Sequence, residues 1–151
     1  MIKVDAIAHI GITVDDLDRS VDFYTRNFGF KYLRSAHFQR PFFENNYSLY
    51  QLPPEKTECR TAVLVLPDQD VQLELFRFSD HLPAERVPWN RAGITHFALV
   101  VEDVDGLAEQ MRQNGVEFCN EIGTRPDGGR WVFVRDPDGN LIEVMQPFRF
   151  S

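Results

Sequence analysis

The sequence predicts an α+β protein of two βαβββ modules, at about residues 5–78 and 93–148, joined by a linker at about 79–92. Three observations carry this. First, Ala6-Ile7-Ala8-His9-Ile10-Gly11-Ile12-Thr13-Val14-Asp15-Asp16 returns as Gly93-Ile94-Thr95-His96-Phe97-Ala98-Leu99-Val100-Val101-Glu102-Asp103. Second, the spacing to the next helix stop agrees: His9 to Gly29 is 20 positions and His96 to Gly115 is 19. Third, each copy closes on a strand with one glutamate, Val71-Gln72-Leu73-Glu74-Leu75-Phe76 and Asn140-Leu141-Ile142-Glu143-Val144-Met145.

The elements follow in order. A strand over residues 5–14 sets Ala8, Ile10, Ile12 and Val14 on one face and Ile7, His9, Gly11 and Thr13 on the other. The apolar set suits packing under a helix, which leaves His9 on the opposite face. That helix is expected over residues 17–27, capped by Asp15 or Asp16, with Leu17, Val21 and Tyr24 on one stripe and Gly29 ending it. A short strand at 30–34 follows. In the second module Phe97, Leu99 and Val101 oppose His96, Ala98 and Val100. Asp103 caps a helix at 104–114 with Leu107 and Met111 inward, Gly115 stops it, and a short strand at 116–119 matches that of the first module. Strands at 130–135 and 141–146 flank Asp136-Pro137-Asp138-Gly139-Asn140, which has the residues of a tight turn. The modules then part company. His9 to Glu74 covers 65 positions against 47 from His96 to Glu143, so the first carries roughly 18 more. The surplus is expected as loop at 35–46, unusually aromatic, and at 52–60.

Composition narrows the classes. The length suits a single domain over residues 1–151 with a real core, and 43% apolar with 26% charged residues is the globular norm. No apolar run is long enough to span a bilayer. Met1-Ile2-Lys3-Val4-Asp5 has no apolar signal region, and Cys59 and Cys119 are unpatterned, so a cytoplasmic setting with reduced thiols is expected. A net charge of −7 with scattered basic residues disfavours a nucleic-acid surface.

Alternation puts Gln72, Glu74 and Phe76 on one strand face and Leu73 and Leu75 on the other. Leu141, Glu143 and Met145 likewise oppose Ile142 and Val144. His9, Glu74, His96 and Glu143 thus all fall on the faces turned away from the helices. Any one of them alone reads as an ordinary strand residue. The matched pair in each module reads as a four-ligand site for one divalent ion, Ni, Zn, Co, Mn or Fe(II), at the axis relating the modules. Without thiolates a closed structural zinc site is the weaker reading, and positions left open to water or substrate allow Lewis-acid chemistry. His37 and His81 lie outside the repeat and are expected in loops.

The stretch His9-Ile10-Gly11-Ile12-Thr13-Val14 with Phe23-Tyr24 and Gly29-Phe30, and the ending Phe133-Val134-Arg135-Asp136-Pro137-Asp138-Gly139-Asn140-Leu141-Ile142-Glu143, resemble the vicinal oxygen chelate superfamily. That superfamily includes glyoxalase I, methylmalonyl-CoA epimerase, extradiol dioxygenases and fosfomycin- and bleomycin-resistance proteins. The resemblance spans nearly the whole chain. It implies a cupped mixed sheet around a metal, a small-molecule substrate, and frequently a homodimer. The His-Glu-His-Glu set is most similar to glyoxalase I, which implies a metal-dependent lyase or isomerase moving a proton between adjacent carbons while the metal holds enediolate oxygens. Glu143, or else Glu74, would leave the metal to act as the base.

Two alternatives stay open: an Fe(II) extradiol-type dioxygenase using two His and one Glu, and a non-catalytic binder of a small molecule such as an antibiotic. Candidate pocket residues are Phe43, Tyr47, Tyr50, Gln72, Trp89 and Phe133, although aromatics as often fill a core. Arg40, Arg60, Arg91 and Arg125 read as solvated surface.

Overall fold

The computed structural model describes residues 3–147. Residues 1, 2 and 148–151, and with them the expected last residue of the second module, lie outside the described residues. The chain divides into two compact units, Met1–Pro83 and Ala84–Ser151. Among the described residues no helix is long and apolar enough to cross a membrane.

The first unit runs β1 (His9–Thr13), α1 (Leu17–Phe28), β2 (Lys31–Phe38), α2 (Arg40–Asn45), α3 (Tyr47–Tyr50), β3 (Cys59–Val65) and β4 (Gln72–Phe78). Its sheet has the order β1-β4-β3-β2, with β1 parallel to β4 and the other pairs antiparallel. Of the two candidate caps it is Asp16 that serves, its carboxylate accepting from Arg19 N–H, and Gly29 ends α1 in the left-handed conformation at φ 73°. Tyr24, Ser20 and Asn27 form the innermost stripe of α1, above Leu73, Leu75 and Val14 on the helix-side face of the sheet. Burying a side chain such as Leu73 or Leu75 contributes about 1.5–3 kcal/mol.

The surplus in this unit differs from the expectation. Residues 35–38 continue β2 instead of forming loop, pairing with Cys59 to Ala62, so His37 is a strand residue and not a loop residue. This edge strand is exposed along nearly its whole length and carries no apolar alternation to reveal it. Residues 40–45, also within the expected loop, form the short helix α2 with Pro41 in its first turn, and α3 follows directly at Tyr47–Tyr50. Their aromatic content is explained by packing: Phe43 is wholly buried against Phe42, Tyr50 and Phe78.

The second unit runs β5 (His96–Val100), α4 (Val104–Gln113), β6 (Glu117–Phe118), β7 (Gly123–Thr124), β8 (Arg130–Arg135) and β9 (Leu141–Gln146). The sheet order is β5-β9-β8-β6, and β7 pairs with β8. Asp103 caps α4 by accepting from Gly106 N–H, while Gln146 accepts from Val104 N–H at the same helix end. Val104, Ala108 and Met111 pack over Val132, Val134, Ile142 and Val144, all fully buried. Met111 is inward as expected and Leu107 only half-buried. The turn between β8 and β9 is organised by the Asp136 carboxylate, which accepts from Asp138 N–H and from the backbone and side-chain N–H groups of Asn140. The short strand β7 was not anticipated. It sits close to β8 because Gly123 leaves room for the Trp131 indole, whose atoms lie 2.7 Å from where a Cβ would stand.

Both units are therefore βαβββ arrangements with mixed sheets, and the α+β fold class holds. The first adds α2 and α3 to the pattern, the second adds β7.

Candidate functional site

Strand pairing places one histidine and one glutamate together in each unit, by the same register. In the first, His9 stands opposite Gln72 and Gly11 opposite Glu74. In the second, His96 stands opposite Leu141 and Ala98 opposite Glu143. Each histidine is thus the diagonal neighbour of its glutamate on one sheet face, within reach for long side chains. On the strand that carries each histidine, the residue opposite the glutamate is small, Gly11 or Ala98, so on that side nothing bulky stands between the pair. His9 Nε2 lies 3.7 Å from Glu74 Oε2, and His96 Nε2 lies 3.4 Å from Glu143 Oε2. Both glutamates are largely covered, at 21% and 19% side-chain exposure. Among the described residues, no group of three or more His, Cys, Asp and Glu side chains is gathered so as to hold a metal ion.

The surroundings of the two pairs differ. His9 is half exposed and its polar contact is Glu74. On the same face, Phe76 packs beside Gly11 and stacks with Phe78, which leads to Phe43 and Tyr50. Gln72, also on this face, accepts from Arg34 at 3.4 Å. Of the aromatic pocket candidates in this unit, Phe43 is wholly buried, Tyr50 half-buried and Tyr47 exposed.

His96 is 25% exposed and enclosed. The Trp89 indole stacks on it with ring centres 5.0 Å apart and planes 28° apart. Phe133, opposite Glu143 in the β8–β9 register, meets the same imidazole edge-on at 5.0 Å. Thr95 Oγ1 lies 2.8 Å from His96 Nδ1. A cleft of about 290 Å³ adjoins this group, lined by Trp89, Arg91, Ile94, Thr95 and Leu141 among others. Thr95 escaped the sequence reading, since a threonine at a strand edge has no pattern to distinguish it. The position before the other histidine, Ala8, was the available hint that the two copies differ there.

The remaining candidates are placed as follows. His37 pairs with Glu58 at 3.2 Å, and His81 contacts Asp15 from the loop after β4. Arg40 bonds Glu44 one helical turn on, which raises its pKa, and Arg125 pairs with Asp127. Both cysteines are free. Burial pushes the Cys59 thiol up to about 11, while Cys119 is exposed.

Known proteins resemble this chain along nearly its whole length. A model of the Glyoxalase/Bleomycin resistance protein/Dioxygenase superfamily matches residues 6–144. A lactoylglutathione lyase of Escherichia coli O157:H7 is 30% identical over 141 residues, covering 93% of this chain and 91% of that protein. A lactoylglutathione lyase of Arabidopsis thaliana is 30% identical over 139 residues, and there the match covers 91% of this chain but 43% of the relative. Among solved structures, a glyoxalase family protein from Bacillus cereus superposes with a TM-score of 0.81 at 21% identity over 97% of each chain. This last likeness speaks for the fold.

Proposed function

This chain belongs to the Glyoxalase/Bleomycin resistance protein/Dioxygenase superfamily, and from that premise we propose that it is a metal-dependent lyase or isomerase of the glyoxalase I type. It would act on a small oxygenated molecule or its thiol adduct. The observation that carries this reading is the repeated register, Gly11 opposite Glu74 and Ala98 opposite Glu143, which brings an imidazole and a carboxylate together twice.

The donor set suits a divalent ion. Imidazole and carboxylate are the ligands that Ni, Zn, Co, Mn and Fe(II) accept. Two donors held by one ion at about 2.0–2.2 Å stand about 3.0–3.4 Å from each other. The Nε2–Oε2 gaps of 3.7 and 3.4 Å are close to that spacing and longer than a charge-assisted hydrogen bond. In the proposal His9, Glu74, His96 and Glu143 hold the ion. When bound, it would stabilise the negative charge that develops on substrate oxygens as a neighbouring C–H is broken.

The residues of this chain supply the rest. Glu143 takes the substrate proton and returns it to the adjacent carbon, and Glu74 is the other carboxylate of suitable position for that role. Phe133, opposite Glu143, and Trp89 meet edge to face and give the His96–Glu143 pair an apolar border. The relatives named lactoylglutathione lyase make a lactoyl thioester the first compound to test. The chain would act as a homodimer, which sedimentation velocity reads out.

The experiment is metal analysis of the native protein beside His9→Ala and Glu143→Ala, followed by anaerobic incubation with lactoylglutathione in deuterated water. The expected result is about one ion per chain, lost in both variants, and solvent deuterium at the lactoyl C–H with native protein alone. Metal retained in both variants overturns the ligand assignment. Dioxygen uptake with Fe(II) instead of exchange would transfer the reading to a dioxygenase, and stoichiometric binding of an aromatic antibiotic without metal or turnover to a binding protein.

A further inference from the structure

We propose that Thr95 and Trp89 are positioning residues that hold the His96 imidazole with Nε2 toward Glu143, so that the His96–Glu143 pair is pre-organised for a metal ion and the His9–Glu74 pair is not. This rests on the metal reading above and goes beyond it by assigning unequal work to the two halves of the repeat.

A neutral imidazole has one N–H donor and one acceptor nitrogen. For Nε2 to offer its lone pair to a cation, the proton must sit on Nδ1, and Nδ1–H then needs an acceptor. Thr95 Oγ1, at 2.8 Å, is that acceptor. Without a cation the other tautomer lets Nε2–H face Glu143, and the Thr95 hydroxyl turns to donate to Nδ1. A hydroxyl serves both states because it is donor and acceptor at once. The isosteric valine serves neither. The hydrogen bond sets the rotation of the ring about its bond to Cβ, and the Trp89 stack with the Phe133 edge sets its plane.

The repeat contains its own control. The residue before His9 is Ala8, which has no hydroxyl, and no ring contact to His9 occurs among the described residues, where His9 is 51% exposed. Two histidines with the same strand register therefore differ in how much freedom must be lost before they can bind. Supporting partners of this kind are worth about 10–100-fold in metal affinity.

The test titrates full-length protein, stripped by chelation, with Zn²⁺ and separately with Ni²⁺ by calorimetry, using native protein, Thr95→Val, Thr95→Ser and Trp89→Ala. Thr95→Val should bind about 10–100-fold more weakly, with Thr95→Ser close to native and Trp89→Ala in between. Because a variant can fail by misfolding, the native protein carries a second readout. Long-range ¹H–¹⁵N spectra of the Zn²⁺ form should show His96 protonated on Nδ1 and bound through Nε2. Native-like affinity in Thr95→Val, or coordination through Nδ1, overturns this inference while leaving the metal reading intact. Failure of native protein to bind either ion overturns both.

Discussion

The two His–Glu pairs share one register and live in different neighbourhoods. His9 and Glu74 meet across a parallel strand pair with Gly11 between them, and the imidazole is otherwise half in solvent. His96 and Glu143 meet across the equivalent pair with Ala98 between them, and there the imidazole is stacked, edged and hydrogen-bonded. Strand pairing alone is enough to bring the donor atoms together. Holding a ring in a single orientation is a separate task, carried out by the segment before β5 and by β8. One of two repeated His–Glu pairs can thus be held in place by its neighbours while the other stays half in solvent.

The largest effect expected from this contrast is on metal affinity. His96→Ala should weaken Zn²⁺ binding by more than about 100-fold, beyond what loss of a supporting residue costs, and His9→Ala by less. Calorimetry on the stripped proteins decides it, and equal losses would break the comparison. Next come the cores beneath the pairs. Leu73 and Ile142 each precede the site glutamate, each is buried on the helix-side face, and they are partnered by Ile10 and Phe97. Leu73→Ala and Ile142→Ala should each cost about 2–5 kcal/mol in denaturant unfolding. A much smaller cost in one unit would show that its sheet packs more loosely.

The thiols give a pH contrast. Cys59 is buried with its pKa raised from 9.0 to about 11, whereas Cys119 is exposed. A raised folded-state value means that the native protein holds the proton more tightly than the unfolded chain. The stabilisation is then fully present below pH 9 and lost as pH rises toward 11. Native protein should therefore lose up to about 2–3 kcal/mol over that window, and Cys59→Ala should lose less, in denaturation series run at each pH. Thiol titration at neutral pH should label Cys119 first, with Cys59 reacting on unfolding. The smallest effects are at the helix caps. Asp16→Ala and Asp103→Ala should each cost about 0.5–2 kcal/mol, with the second partly cushioned because Gln146 also accepts a hydrogen bond at that helix end.

The repeat, the two capped helices, the glycine stops and the strand faces of His9, Glu74, His96 and Glu143 are legible in the amino-acid sequence. All of these follow from the alternation of neighbouring residues in strands and the short-range chemistry of caps and turns, which act over a few positions. The sequence did not disclose that β2 runs on to Phe38, that residues 40–50 are helical around a buried Phe43, or that β7 exists. An exposed edge strand has no apolar face to mark it, and very short elements are stabilised by what they pack against. The register that sets Gly11 against Glu74 and Ala98 against Glu143, and the Thr95–His96–Trp89 arrangement that distinguishes the two pairs, emerge from the folded chain. The reason is physical: each glutamate lies 65 or 47 positions from its histidine, and such partners are chosen by the packing of whole strands, not by the residues adjacent to either one.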